Sequence, residues 1–303
     1  MKRLIRVLLL IISLVALLLL IVVVAYRQLN QTNGTVVVAG EERAYLLYVP
    51  EIYDAATATP LVIALHGFVQ WPASLVEMTG WNELAEEHGF IVVYPSGTGL
   101  PLRWRAGGGS GDSAGTAADV AFVDALIDEL ARSYNLDPNR IYANGLSNGG
   151  GMTSVLTCEL AGRIAAAGMV AGAYLYPWDK CDPARPVPVI IFHGTDDTIV
   201  PYAGGRSGPG DRQLPSIPVW VDSLAARNGC DEEPAALPAR GDATGVAYTG
   251  CAGDVLFYTI SGGGHTWPGG PPLYERISGH TTQDLNATAV MWAFFTEHPL
   301  SGR

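Results

Sequence analysis

The chain is short of charge, short of bases above all, and has no cysteines spaced to hold a metal. Charged side chains make up 16% of its 303 residues, against roughly 25% in an average soluble protein. With 49% apolar residues, that excludes a disordered chain and leaves ample material for one large core. Four of the 18 Lys and Arg residues (Lys2, Arg3, Arg6 and Arg27) fall in the first thirty positions, which hold no acid. The remainder carries 14 bases against 29 acids, a net −15. No basic cluster follows that could neutralise phosphates, so nucleic acid is excluded as a partner. None of the four cysteines stands in a CxxC pair and no histidine sits at zinc-finger spacing, so neither metal nor cofactor is expected. The chain also lacks an internal repeat, a second domain boundary and an added carbohydrate- or polymer-binding module.

It does have one long apolar run. Lys2, Arg3 and Arg6 precede residues 7–25, which are interrupted only by Ser13. That length is close to the ~20 residues a helix needs to cross a bilayer. Bases on the N-terminal side keep that end in the cytoplasm and put the body outside. Residues 1–28 therefore read as a transmembrane signal-anchor or, as the alternative, a cleaved signal peptide. The anchor is preferred, because signal-peptide apolar regions are usually about 7–15 residues and end in a small-x-small site, which 23–26 lacks. Either reading exports the domain. Residues 29–40 read as a spacer and 41–303 as one domain, expected to be monomeric.

Cys158, Cys181, Cys230 and Cys251 are an even set, as disulfides in an exported chain require. Three connectivities are possible. Pairing neighbours, Cys158–Cys181 and Cys230–Cys251, is preferred and closes two loops of about twenty residues.

Apolar strands alternate with helical patterns along the body. Strands are expected at 43–49, 61–65, 90–94, 140–143, 164–170, 187–192 and 255–260, and helices at 75–88, 119–134, 148–160, 218–227 and 283–297. This order predicts an α/β fold, a mainly parallel sheet with helices on both faces. Its active site should lie beyond the carboxyl ends of the strands.

Gly145, Leu146, Ser147, Asn148 and Gly149 fit G-x-S-x-G between a strand and a helix, the setting of a nucleophile elbow. A serine hydroxyl needs a base, and the base an orienting acid. In this fold the chain order is Ser, then Asp or Glu, then His. Asp196 and Asp197 follow the strand 187–192. Asp197 is the better acid because it stands three residues before the Val200-Pro201 turn, leaving Asp196 to support the turn through an Asx hydrogen bond. His265 lies in the run Gly262–Gly264 and is the candidate base. His66 and His193 read as loop supports, and His280 has no evident partner. The oxyanion donors are expected to be the N–H groups of Asn148 and, after His66-Gly67, of Phe68. Trp104 and Trp267 are candidate substrate-binding residues, and the Gly/Pro-rich loop 203–215 should border the cleft. Asp119 and Asp124 read as a solvated helix face.

Together these motifs resemble the extracellular α/β-hydrolase esterases that include polyhydroxybutyrate depolymerases and feruloyl esterases. The resemblance runs through 43–50 (RAYLLYVP), 65–67 (LHG), 90–95 (FIVVYP), 119–123 (DVAFV), 145–150 (GLSNGG), 193–202 (HGTDDTIVPY), 228–230 (NGC) and 262–270 (GGGHTWPGG). It implies an α/β-hydrolase fold and a triad on Ser147, Asp197 and His265. Where family members often carry Cys-Thr-Gln after His-Gly, this chain has Phe68, Val69 and Gln70. The implied activity is hydrolysis of a small-molecule or polymeric carboxylic ester: feruloyl or acetyl polysaccharide esters, or short hydroxyalkanoate esters. The alternatives are a serine peptidase of the same fold and a non-catalytic surface-binding protein.

Overall fold

The computed structural model describes residues 2–29, 31–107, 112–207, 212–272 and 275–300. Helix α1 spans Lys2–Leu29, and after four intervening residues the chain enters strand β1, Gly34–Val38. Then come β2 Glu41–Tyr48, β3 Thr59–Leu65, α2 Pro72–Thr79, α3 Trp81–His88, β4 Ile91–Pro95, α4 Asp112–Ser133 and β5 Leu136–Leu146. The middle of the chain holds α5 Asn148–Glu159, β6 Ala166–Val170, β7 Val189–Gly194, the two-residue strands β8 Gly205–Arg206 and β9 Gln213–Leu214, and α6 Ile217–Arg227. It closes with β10 Ala235–Arg240, β11 Ala243–Tyr248, β12 Val255–Ile260, α7 Glu275–Ser278 and α8 Ala287–Glu297.

Ten strands form one sheet in the order β1-β2-β4-β3-β5-β6-β7-β12-β11-β10. The inner six pair in parallel, and antiparallel strands flank them on both sides. The inner strands are mostly apolar where helices cover both faces, as in β4 (IVVYP) and β6 (AAGMV), whereas the first half of β5 carries Asp137, Asn139 and Arg140. Alternate side chains of β3 divide between the two layers. Leu61, Ile63 and Leu65 pack with α4, α5 and α6, whereas Val62 and Ala64 pack with α2, α3 and α8. This is an α/β-hydrolase architecture.

Three expectations fail locally. The helix expected over 75–88 is two helices, because Gly80 adopts φ 65 and breaks it. The spacer contains a strand: Thr35, Val36, Val37 and Val38 pair antiparallel with β2 and close one edge of the sheet. The hairpin β10–β11 was not anticipated, since β10 is largely exposed and its sequence, AALPAR, carries little β-branched patterning. Residue 30 of the spacer and the C-terminal residues 301–303 lie outside the described residues.

Both neighbour disulfides are present, Cys158–Cys181 and Cys230–Cys251. Such bonds persist in oxidising compartments. From Leu9 to Ile21 the side chains of α1 are exposed and, Ser13 apart, apolar. Among the described residues no helix is long and apolar enough to cross a membrane.

Candidate active site

The chain runs from β3 to β4 on one side, then returns past β3 to β5 on the other. The crevice beyond the carboxyl ends of β3 and β5 is thus a topological switch point, where ligands bind in open α/β sheets. Leu65 is registered with Gly145 there, so the loop after β3 lies against the turn after β5.

Ser147 occupies that turn with φ 58 and ψ −118, a backbone region L-residues visit only under constraint. The surrounding glycines are sterically required. A Cβ on Gly149 would stand 2.0 Å from Leu65 O, and one on Gly145 would stand 2.4 Å from the Gly149 carbonyl carbon. Ser147 N–H donates to Val170 O at 2.9 Å, and Ser147 O accepts from Gly151 N–H at 2.9 Å and Ala173 N–H at 3.0 Å. Helix α5 begins at Asn148, so its N-terminal N–H groups face the cleft.

Asp197 and His265 come from the ends of β7 and β12, registered through Gly194 and Ile260. Gly194 admits the incoming loop, since a Cβ there would meet Gly263 O at 2.1 Å. A Cβ on Gly264 would meet Ser278 O at 2.0 Å. The glycine run before His265 therefore lets two backbones lie in contact, and it fixes where the imidazole projects. His265 Nδ1–H donates to Asp197 Oδ2 at 2.7 Å. Asp197 Oδ1 accepts from the N–H groups of Ile199 at 2.9 Å and Val200 at 2.8 Å. The Asx contact expected of Asp196 thus belongs to Asp197, while Asp196 is exposed and receives only Thr195 Oγ1–H. Burial would raise the Asp197 pKa, but the adjacent His265 and His193 outweigh it and hold the carboxyl well below the usual range. His193 is buried and more than a loop support: its Nε2–H donates to Val200 O at 2.9 Å and lies 3.3 Å from Asp197 Oδ2.

Ser147, Asn148, Phe68, His265, Trp104 and Trp267 all line one cavity of about 870 Å³, a volume typical of small-molecule sites. Gly67 N–H donates to Gln70 Oε1 at 2.7 Å. Among the described residues Phe68 N–H has no such acceptor. Gln70 therefore occupies the Gly67 N–H, while Phe68 and Val69 are the positions that depart from the Cys-Thr-Gln pattern. His66 braces the same loop, donating from Nδ1 to Gly67 O at 2.7 Å and accepting Gly97 N–H at Nε2, 2.9 Å. Complete burial lowers its pKa to about 4, against the raising effect of the Gly67 contact, so His66 is neutral.

Trp104 and Trp267 are each 2% exposed; they are wall and core at once. Trp104 Nε1–H donates to His66 O at 3.0 Å and Trp267 Nε1–H to Thr288 Oγ1 at 2.9 Å. The Asn148 side chain clamps the Trp104 backbone, accepting its N–H at 2.7 Å and donating to its C=O at 3.0 Å. Sequence reading assigned Asn148 only its backbone role. Ser207, Arg212 and Leu214 bring the 203–215 loop to the cavity; its tip, 208–211, lies outside the described residues.

Two further readings need correction. Asp119 is fully buried, pairing with Arg43 at 2.9 Å and accepting Arg105 N–H at 2.9 Å. Its charge is compensated by a residue 76 positions away, which no helical periodicity reveals. Asp124, on the same helix, is half-exposed and pairs with Arg163 at 2.6 Å. His280 has a partner, Asp242 Oδ2 at 3.2 Å. No group of residues able to hold a metal occurs among the described residues.

Residues 43–177 match the family model described as "Esterase PHB depolymerase". The protein named "Putative esterase NocK" of Nocardia uniformis subsp. tsuyamanensis is 32% identical over 280 residues, 84% of this chain and 80% of the relative. The chain belongs to this esterase family. It is a carboxylic-ester hydrolase. Feruloyl esterase B of Piromyces equi is 32% identical over 237 residues, covering 74% of this esterase but 42% of that longer relative. The solved acetyl xylan esterase from Aspergillus awamori superposes with a TM-score of 0.55 at 18% identity over 74% of this chain and 89% of that one, a likeness of fold.

Proposed function

We propose that the esterase works as a serine hydrolase through Ser147, His265 and Asp197. Ser147 Oγ attacks the ester carbonyl carbon while His265 Nε2 takes the hydroxyl proton. Asp197 fixes the His265 tautomer and stabilises the imidazolium. The N–H groups of Asn148 and Phe68 receive the oxyanion. Collapse expels the alcohol, which takes its proton from His265, and leaves an acyl group on Ser147. Water activated by His265 then releases the acid. The observation that carries this reading is the 2.7 Å contact between His265 Nδ1 and Asp197 Oδ2, with Ser147 held in a strained turn on the same cavity.

A fluorophosphonate probe tests it. The folded protein should be labelled and the Ser147→Ala variant should not; labelling that survives the substitution would refute the assignment. Hydrolysis of p-nitrophenyl esters without cleavage of p-nitroanilide peptides separates esterase from peptidase. The substrates proposed are feruloyl or acetyl polysaccharide esters or short hydroxyalkanoate esters. The names of the relatives and a cavity of about 870 Å³ lined by apolar and aromatic groups support them.

The proposed setting is outside the cytoplasm, with the body, 41–303, acting as a monomer and the N-terminal segment 1–28, nearly all of it in α1, holding it to the membrane unless cleaved. Two disulfides and the exposed apolar side chains of α1 support it.

A further inference from the structure

Three arginines in the cavity wall have no acidic partner among the described residues. Arg103 and Arg105 flank Trp104, and Arg212 stands on the loop between β8 and β9. None forms an ion pair among the described residues. Glu77 is the single acid among the described wall residues. The body outside the first thirty positions is at net −15, so a wall of three bases and one acid runs against the charge of the molecule. A cleft lined by one sign of charge concentrates ligands of the other.

Arg105 is the sharpest case. Its guanidinium is half-buried, and its one hydrogen bond is to the neutral Thr98 Oγ1 at 3.4 Å. Its stem crosses helix α4 at Gly115, where a Cβ would come within 1.9 Å of Arg105 Cδ. Charged groups withdrawn from water are ordinarily paired; this one has no ionic partner among the described residues. The backbone carrying both arginines is fixed. Arg103 exchanges both of its backbone bonds with Thr98, at 3.0 and 3.1 Å. Trp104 is clamped by Asn148, the residue after the nucleophile. Arg105 N–H is held by Asp119. Two guanidinium groups are thus mounted on a rigid segment bonded to the start of α5.

We propose that this cavity is built for esters that also carry a free carboxylate, received by Arg105 and Arg103. Guanidinium binds carboxylate in a two-point, charge-assisted geometry. The inference rests on the serine-hydrolase reading above and specifies its substrate class. The terminal carboxylate of a short hydroxyalkanoate ester and a uronate beside an acylated sugar present the same group.

The test compares kcat/KM on matched pairs: a 3-hydroxyalkanoate trimer as free acid and as methyl ester, and a feruloylated saccharide with a free uronate and with that uronate methylated. The anionic member of one pair should be preferred about tenfold, the scale of one charge-assisted contact. The preference should shrink as salt rises from about 20 to about 500 mM. Whichever pair shows it identifies the source of the carboxylate. In the Arg103→Gln/Arg105→Gln variant the ratio should fall to about one; being a ratio on one protein, it is insensitive to partial loss of fold. If that variant does not fold, the salt titration of the wild type decides. Parity in both pairs, a preference insensitive to salt, or a ratio unchanged in the folded variant overturns the inference. Fluorophosphonate labelling of Ser147 is read separately: labelled protein with parity defeats only the carboxylate preference, whereas folded protein that resists labelling defeats the serine mechanism.

Discussion

A methyl group on Gly149 would collide with the Leu65 carbonyl, a rigid strand end that cannot yield as a side chain does. Gly149→Ala should therefore cost about 1–3 kcal/mol in urea unfolding and lower activity further by tilting the start of α5. Asp197→Asn separates orientation from folding. The amide oxygen can still accept from Ile199 and Val200, but the amide nitrogen cannot accept from His265 Nδ1–H. Folding should survive while kcat falls about 10⁴-fold; a loss under tenfold in steady-state assays would remove Asp197 from the triad. The pH dependence of stability follows from His66. Its folded pKa of about 4 lies below the unfolded 6.5, so the unfolded chain binds the extra proton between these values. Stability is full above about pH 6.5 and falls by about 3 kcal/mol as pH drops to 4. His66→Gln should flatten that part of the curve in denaturation series at pH 7 and pH 4. Asp197, with a depressed pKa, keeps its contribution above its unfolded value of 3.8 and loses it only as pH falls further.

The elbow that carries the proposed nucleophile is legible in the sequence because its requirements are local: glycines at fixed offsets, a strand before and a helix after. The contact between Asp197 and His265, the proposed acid and base, is foreshadowed because each residue stands in the loop that follows a strand. Asp119 and the clamp of Asn148 on Trp104 were not, since their partners lie 76 and 44 residues away and only the folded sheet joins them.

Elements follow the same division. Strands buried on both faces announce themselves as apolar runs, and β12 begins and ends where the pattern places it. Strands β1 and β10 sit at the sheet edges with few buried side chains, so alternation is weak and their pairing was missed. One disulfide reinforces this edge of the sheet. Cys230–Cys251 ties the end of α6 to the turn between β11 and β12, across 21 residues. A loop of that length contributes about 3 kcal/mol on the chain-entropy view. Replacing both cysteines by serine should lower Tm by roughly 5–10 °C in calorimetry, with the Ser147 chemistry intact below the transition.

At the scale of the whole molecule, the sheet gathers loops from β3, β5, β7 and β12 at one end, while α1 exposes apolar side chains from Leu9 to Ile21. The full chain should partition into the detergent phase of a Triton X-114 separation, and a chain lacking residues 1–30 should remain in the aqueous phase with its esterase activity. A mature N-terminus beyond residue 28 on the native protein would show the helix to be a discarded leader.

Only four residues separate Leu29 from Gly34, a tether of about 14 Å even when fully stretched. Under the proposed anchoring, so short a tether would keep the cleft close to the envelope, and turnover would be set by what drifts against it, favouring soluble ester fragments over a distant solid particle.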